Sequence, residues 1–217
     1  MNKSIEKYWD YRLKKVKNNL EKNRFEVFIA PDKNAAKDIA LDEIIPSLTI
    51  KSVSWGGSMS FVETGLFHVL KKRKDIEVIN TFDKTLLKAD LWNLRKKSLT
   101  ADLFITGTNA LTLDGRLVNL DMIGNRVAAM ILGPEHVLLI IGRNKICENL
   151  DDAMKRVKHY ASVTNSMRLG MKVPCAKTGE CQDCSSPERI CNYWTIIDKS
   201  FIKNRIKIIL VNQDLGL

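Results

Sequence analysis

The segment HVLLIIG, residues 136–142, carries five consecutive aliphatic side chains. Neighbouring side chains of a strand point to opposite faces, so a strand of this kind needs apolar cover on both. A parallel sheet sandwiched between helices provides that cover. Such a sheet demands helical crossovers between its strands, and the rest of the chain supplies them.

FEVFIA (25–30), KSVSWGG (51–57), DIEVIN (75–80), ADLFITG (101–107) and NRIKIILVN (204–212) read as further strands. Helical spacing of apolar residues is evident over 4–24, where Ile5, Tyr8, Trp9, Leu13, Val16 and Leu20 recur mostly three or four apart. Helices are also expected over 32–46, with Asp32 as N-cap and closure before Pro46, and over 59–73, 83–100, 125–132 and 149–170. NALTLDGRLVNLD (109–121) reads as a hairpin turning at Asp114-Gly115. The fold class that follows is α/β: a doubly wound, mostly parallel sheet with helices on both faces. An N-terminal helix (1–24) precedes one α/β domain (25–217), and a cysteine-rich insert (172–191) interrupts the rhythm near the C-terminus.

The chain has 217 residues, enough for a sizeable core, and a formal net charge of +10. Two basic runs, 71–74 and 95–97, fall at expected helix ends, where cations offset the helix dipole. No aromatic residues interleave with them for base stacking, which argues against nucleic acid as a partner. No apolar run is long enough to span a membrane, and the first 24 residues lack the apolar core of a signal peptide. The expectation is a cytoplasmic protein with reduced thiols.

Ligands of open α/β sheets bind at the carboxyl ends of the strands. Two loops lie there. In SWGGSMSFVETG, Gly56 and Gly57 allow close backbone approach, while Ser58 and Ser60 can cap the next helix and leave amides for an anion. Glu63 is a functional acid or the partner of Ser60 in a capping box. In the second loop Gly107, Asn109, Asn119, Asp121, Asn125 and Arg126 gather at one strand end, as a polar pocket would. A small anionic ligand suits both.

The order SWGGSMSFVETGL, then ADLFITGTNALTLDGRLVNLDMIGNRVAAMILGPEHVLLIIGRNKI, then PCAKTGECQDCSSPERIC, resembles the LUD-domain (lactate utilization) family over about residues 5–212. That resemblance implies a NagB/RpiA/CoA-transferase-like fold. It also implies a place beside iron–sulfur proteins that oxidise L-lactate, and so redox partner proteins. The central block is also similar to sugar-phosphate isomerases of the methylthioribose-phosphate type. Asn109, however, stands where those enzymes carry an acid, and Leu120 where they carry a lysine. A neutral amide cannot act as a carboxylate base.

Cys175, Cys181, Cys184 and Cys191 follow the spacing C-x5-C-x2-C-x6-C. Four thiolates complete either a structural zinc site or a 4Fe–4S site. Zinc sites often pair two C-x2-C knuckles, and this chain has one. Together with the redox setting that the family resemblance implies, this tips the balance to 4Fe–4S over zinc. Cys147 reads as a lone buried thiol, and His68, His136 and His159 as structural or solvated. The composite expectation is a redox-linked component of L-lactate or hydroxy-acid oxidation with a small anionic ligand site and a metal centre. The alternative is a CoA-transferase or sugar-phosphate-isomerase-like enzyme with structural zinc. Homo-oligomerisation is open.

Overall fold

The structure, a computed structural model, describes residues 3–217. The elements run α1 (Lys3–Lys22), β1 (Glu26–Ala30), α2 (Lys33–Asp38), β2 (Ser52–Trp55), α3 (Met59–Glu63), α4 (Leu66–Leu70), β3 (Glu77–Ile79), α5 (Lys88–Lys97), β4 (Leu103–Thr106), β5 (Ala110–Thr112), β6 (Leu117–Asp121), α6 (Asn125–Ile131), β7 (His136–Gly142), β8 (Ile146–Cys147), α7 (Leu150–Arg156), α8 (Ser162–Arg168), α9 (Pro174–Thr178), β9 (Tyr193–Ile197) and β10 (Ile206–Val211).

Six strands form one parallel sheet in the order β1-β10-β7-β4-β2-β3. The aliphatic run of β7 sits at its centre and divides its side chains as the two-residue period demands. Leu138 and Ile140 join Phe61, Leu66, Leu70 and Ala36 on the face covered by α2, α3 and α4. Val137, Leu139 and Ile141 join Leu13, Val16, Leu20, Val127 and Met130 on the face covered by α1 and α6. β10 divides likewise, with Ile209 and Val211 on the first face and Ile206, Ile208 and Leu210 on the second.

Polar groups close the ends of these elements. The Asp102 carboxylate accepts from the amides of Lys51 and Ser52 at 2.7 and 2.8 Å, pinning the start of β2 to β4. The Lys51 amide leads in holding that carboxyl below its ordinary pKa. Arg205, buried beside β10, donates to the carbonyls of Ala129 and Met130 at 3.0 and 2.8 Å. It thereby satisfies the last carbonyls of α6, which have no partner within the helix.

The second sheet, ordered β8-β5-β6-β9, is the main addition to the expected plan. The hairpin β5–β6 turns at Gly115, whose φ of 89° is left-handed. β9 pairs antiparallel with β6, from Leu117 against Ile197 to Asp121 against Tyr193. One face of this sheet enters the α1–α6 core through Leu111, Leu113 and Leu117. The other packs Ala110, Val118 and Leu120 against Ala153 and Val157.

Several helices differ from expectation. The 59–73 segment breaks at Gly65, which takes φ 77° and splits it into α3 and α4. Helix α5 begins only at Lys88. The 32–46 helix has its Asp32 cap, accepting from the amides of Asn34 and Ala35 at 2.8 and 3.0 Å. It continues through a π turn (Ile39–Ile44) and a 3-10 turn (Ile45–Ser47) that contains Pro46, so it does not close before that proline. The 149–170 helix carries a π turn at Val157–Ala161 between α7 and α8.

Candidate functional site

The carboxyl ends of β2 and β4 bring the two glycine-bearing loops into contact. The Gly56 amide donates to Ile105 O at 3.0 Å. A Cβ on Gly56 would stand 3.0 Å from the Phe104 ring and 3.1 Å from Arg126 Cγ. A Cβ on Gly107 would come within 2.7 Å of Ser58 Oγ and 3.2 Å of Ile140 O. Both glycines are thus needed for close approach, one to Arg126 and the other to the serine loop. Gly57 faces open space. Ser58, not Ser60, caps α3, accepting from the Phe61 amide at 3.2 Å. Ser60 instead donates to Leu215 O at 3.1 Å, so Ser60 and Glu63 form no capping box. The helix they open is five residues long.

Arg126, on the first turn of α6, is 8% exposed. Its Nε donates to Asp121 Oδ2 at 3.0 Å. Nη1 donates to Gly107 O at 2.9 Å and Asn119 Oδ1 at 2.6 Å, and Nη2 to Asn109 Oδ1 at 2.9 Å. Asn109 Oδ1 also accepts from the Leu120 amide at 3.1 Å. The Asn109 amide is therefore spent on holding the hairpin and Arg126. Asn119 Oδ1 further accepts from Thr108 Oγ1 at 3.2 Å, while its buried Nδ2 has no hydrogen-bond partner among the described residues. Asn125 opens α6, half-buried, and contributes no hydrogen bond to this network.

Beside this network lies a cavity of about 430 Å³ lined by Glu63, Asn144, Arg156, Tyr160, Asp214 and Gly216. Its lining draws on Asn144, just after β7, and on Asp214 and Gly216 near the C-terminus. Gly216 donates its amide to Glu63 Oε2 at 3.0 Å, and Leu215 donates its own to Asn144 Oδ1 at 3.1 Å. Asp214 is paired with Arg143 at 2.9 Å, and Arg143 lies over the Trp9 ring, 5.2 Å from its centroid. Arg156 bonds Asn144 O at 3.0 Å and Asn109 O at 2.8 Å, and sits 5.2 Å over the Tyr160 ring. Burial is the main cause of its lowered pKa.

Lys145, directly after Asn144, is 5% exposed. Its Nζ donates to Thr108 O at 3.2 Å, and among the described residues no carboxylate lies within ion-pairing distance. Desolvation, then the charges of Arg156 and Arg126, push its pKa down to about 7, against a small opposing effect of Glu63. Arg126 is ion-paired with Asp121, whereas the hydrogen bonds of Arg156 and Lys145 go to backbone carbonyls. The cavity lining itself sets one guanidinium, Arg156, beside two carboxylates, Glu63 and Asp214, of which Asp214 is paired with Arg143.

A family model, the LUD domain, matches residues 13–211. The chain belongs to the LUD-domain family. Its structure is similar to that of a DUF162 family protein from Deinococcus radiodurans, with a TM-score of 0.52 and 13% identity over 94% of this chain and 98% of that one. That likeness is one of fold. A ribose 5-phosphate isomerase from Plasmodium falciparum aligns with 54% of the LUD-domain chain and 53% of its own length, at 21% identity and a TM-score of 0.34. No curated protein matches the chain.

The cysteine segment of this LUD-domain chain leaves α8, forms α9 and ends beside the Arg126 network. Asn192 donates its amide to Asp121 O at 3.0 Å and its side chain to Met122 O at 3.0 Å. Cys191 packs against the apolar cluster of Ala153 and Val157. Arg189 spans the loop, donating to Cys184 O at 2.6 Å and Cys191 O at 2.8 Å. Lys158 pairs with Asp183 at 3.0 Å. All five cysteines are free and partly buried. Among the described residues no three His, Cys, Asp or Glu side chains stand together as a metal-holding group, so the four thiols do not present a ready-made tetrahedral site. Cys147 packs with Leu150 and Met154, and burial raises its pKa. His68 and His159 are exposed, and His136 is half-buried at the start of β7.

Composition pointed to Arg126 and the asparagines because they cluster within twenty residues. Arg156, Lys145, Asn144 and Asp214 escaped it because the fold, not the sequence, brings them together. One signal was present: GRNKI places two cations directly after the aliphatic strand HVLLIIG, at its carboxyl end.

Proposed function

We propose that this LUD-domain protein binds a small carboxylate of the hydroxy-acid type in the cavity beside Arg156, as a redox-linked component of L-lactate or hydroxy-acid oxidation. The observation that carries the reading is Arg156, which lines the cavity and whose hydrogen bonds go to two carbonyls, Asn144 O and Asn109 O. The planar guanidinium of Arg156 suits a carboxylate, and a cavity of about 430 Å³ suits a small molecule.

A metal centre at Cys175, Cys181, Cys184 and Cys191, a 4Fe–4S cluster or zinc, is part of the same proposal. The donor set suits either group, and metal sites commonly assemble only as the metal binds. The anchoring of Asn192 on Asp121 and Met122 would couple that centre to the Arg126 network.

Thermal-shift measurements with L-lactate, pyruvate, sugar phosphates and acyl-CoA test the ligand class. Stabilisation by the hydroxy and oxo acids supports the reading. Stabilisation only by sugar phosphates or acyl-CoA overturns it in favour of isomerase or transferase chemistry. Iron, zinc and acid-labile sulfide are measured on protein prepared without oxygen, and absence of all three after reconstitution overturns the metal centre.

A further inference from the structure

We propose that Glu63 determines the specificity of the cavity: its carboxylate accepts the 2-hydroxyl of an acid whose own carboxylate lies on Arg156, so the site selects 2-hydroxy acids over 2-oxo acids. This inference rests on the carboxylate reading above and names the residue that reads the second carbon.

The charges around the cavity carry the argument. Asp214, in the lining, is paired with Arg143 at 2.9 Å and is therefore committed. Glu63 and Arg156 are not. They end different helices, α3 and α7, and line the same cavity without forming an ion pair with each other. Among the described residues Glu63 has no cation within ion-pairing distance, and the hydrogen bonds of Arg156 go to backbone carbonyls. A molecule lying between them must offer an anion to the guanidinium and a hydrogen-bond donor to the carboxylate. A 2-hydroxy acid carries both on adjacent carbons. A 2-oxo acid carries only acceptors, and its carbonyl oxygen would face the lone pairs of Glu63.

Both groups are held in place. The Gly216 amide donates to Glu63 Oε2 at 3.0 Å, and Oε1 has no partner among the described residues. Gly216 takes a left-handed φ of 61° beside Leu215, which is 2% exposed. The Leu215 amide rests on Asn144 Oδ1 at 3.1 Å, and its carbonyl accepts from Ser60 Oγ at 3.1 Å. One carboxylate oxygen of Glu63 is thus tied down and the other is available to a ligand. The Tyr160 ring, 5.2 Å from the Arg156 guanidinium, supports the other half. Glu63 is exposed, so water competes for this contact and the preference it gives is modest.

Isothermal titration of the full-length protein and of Glu63→Gln with L-lactate, pyruvate, propionate and L-alanine tests the assignment. Glutamine keeps an acceptor for the Gly216 amide and presents an N–H donor in place of the second oxygen. Propionate, which has nothing on its second carbon, reports the change of charge alone. The wild-type protein should bind L-lactate about three- to tenfold more tightly than pyruvate or propionate. In Glu63→Gln the order of L-lactate and pyruvate should invert. Equal affinity for L-lactate and pyruvate in the wild type, or the wild-type order kept in Glu63→Gln, overturns the role of Glu63 and leaves the carboxylate site standing. Tighter binding of L-alanine than of L-lactate overturns the hydroxyl in favour of an ammonium group. If no acid binds the wild type, both readings fall.

Discussion

Arg126 donates its Nε to Asp121 Oδ2 at 3.0 Å with both side chains nearly out of solvent. The pair ties the end of β6 to the first turn of α6. It also stands between the cavity and the cysteine segment, because Asn192 bonds the Asp121 carbonyl. Removing one member of a buried pair leaves the other charge uncompensated, at a cost of about 3–5 kcal/mol. Asp121→Ala should lower stability by about that much in urea unfolding. Asp121→Leu combined with Arg126→Met should lose less than the single change, since no charge is stranded. A double variant no better than Asp121→Ala would show that the pair's hydrogen bonds, not its charges, matter.

Lys145 gives a pH signature. In the fold its proton is lost near pH 7, and its ordinary value is 10.5. Between the two, the unfolded chain binds a proton that the fold does not, so stability rises with pH by up to about 1.4 kcal/mol per unit. Below pH 7 both states are charged and the burial cost is fully expressed. Lys145→Met should flatten this rise and be the more stable protein at pH 6. Parallel stability curves for the two proteins from pH 6 to 9 would contradict the assignment.

Gly56 is the contact point between the first loop and Arg126. The Cβ of an alanine there would meet the Phe104 ring at 3.0 Å and Arg126 Cγ at 3.1 Å. Overpacking of this kind costs about 1–3 kcal/mol. Gly56→Ala should lower the melting temperature and weaken anion binding together. Gly57→Ala, which meets nothing within 4 Å, should do neither.

Alkylation should separate the cysteines. The Cys147 thiol is held protonated by burial, and the thiolate is the reactive form. Iodoacetamide at pH 8 should modify Cys175, Cys181 and Cys184 before Cys147, read by peptide mass. If Cys147 reacts first, the packing around it is not as described.

Much of the main sheet was legible in the sequence because its strands carry aliphatic runs and its turns carry Gly and Asp. HVLLIIG needed cover on both faces, and the helices provide it. The Asp114-Gly115 hairpin was equally plain. β9 was hidden because YWTII follows the cysteine segment and remains half-exposed, and β8 has only two residues. The break at Gly65 was not visible because the apolar spacing continues across it, and only the left-handed φ interrupts the helix. At the site, the polar cluster from Gly107 to Arg126 could be read locally. The cavity itself could not, since Glu63, Arg156 and Asp214 meet only through the order of the strands.

The central claim is a carboxylate site built on Arg156. Isothermal titration with L-lactate and pyruvate, on the wild-type protein and on Arg156→Lys, tests it most directly. Loss of a charge-assisted, planar contact costs about 1.5–3 kcal/mol, so the variant should bind at least about tenfold more weakly. Equal affinity in the two proteins, or no heat of binding in the wild type, would contradict the claim.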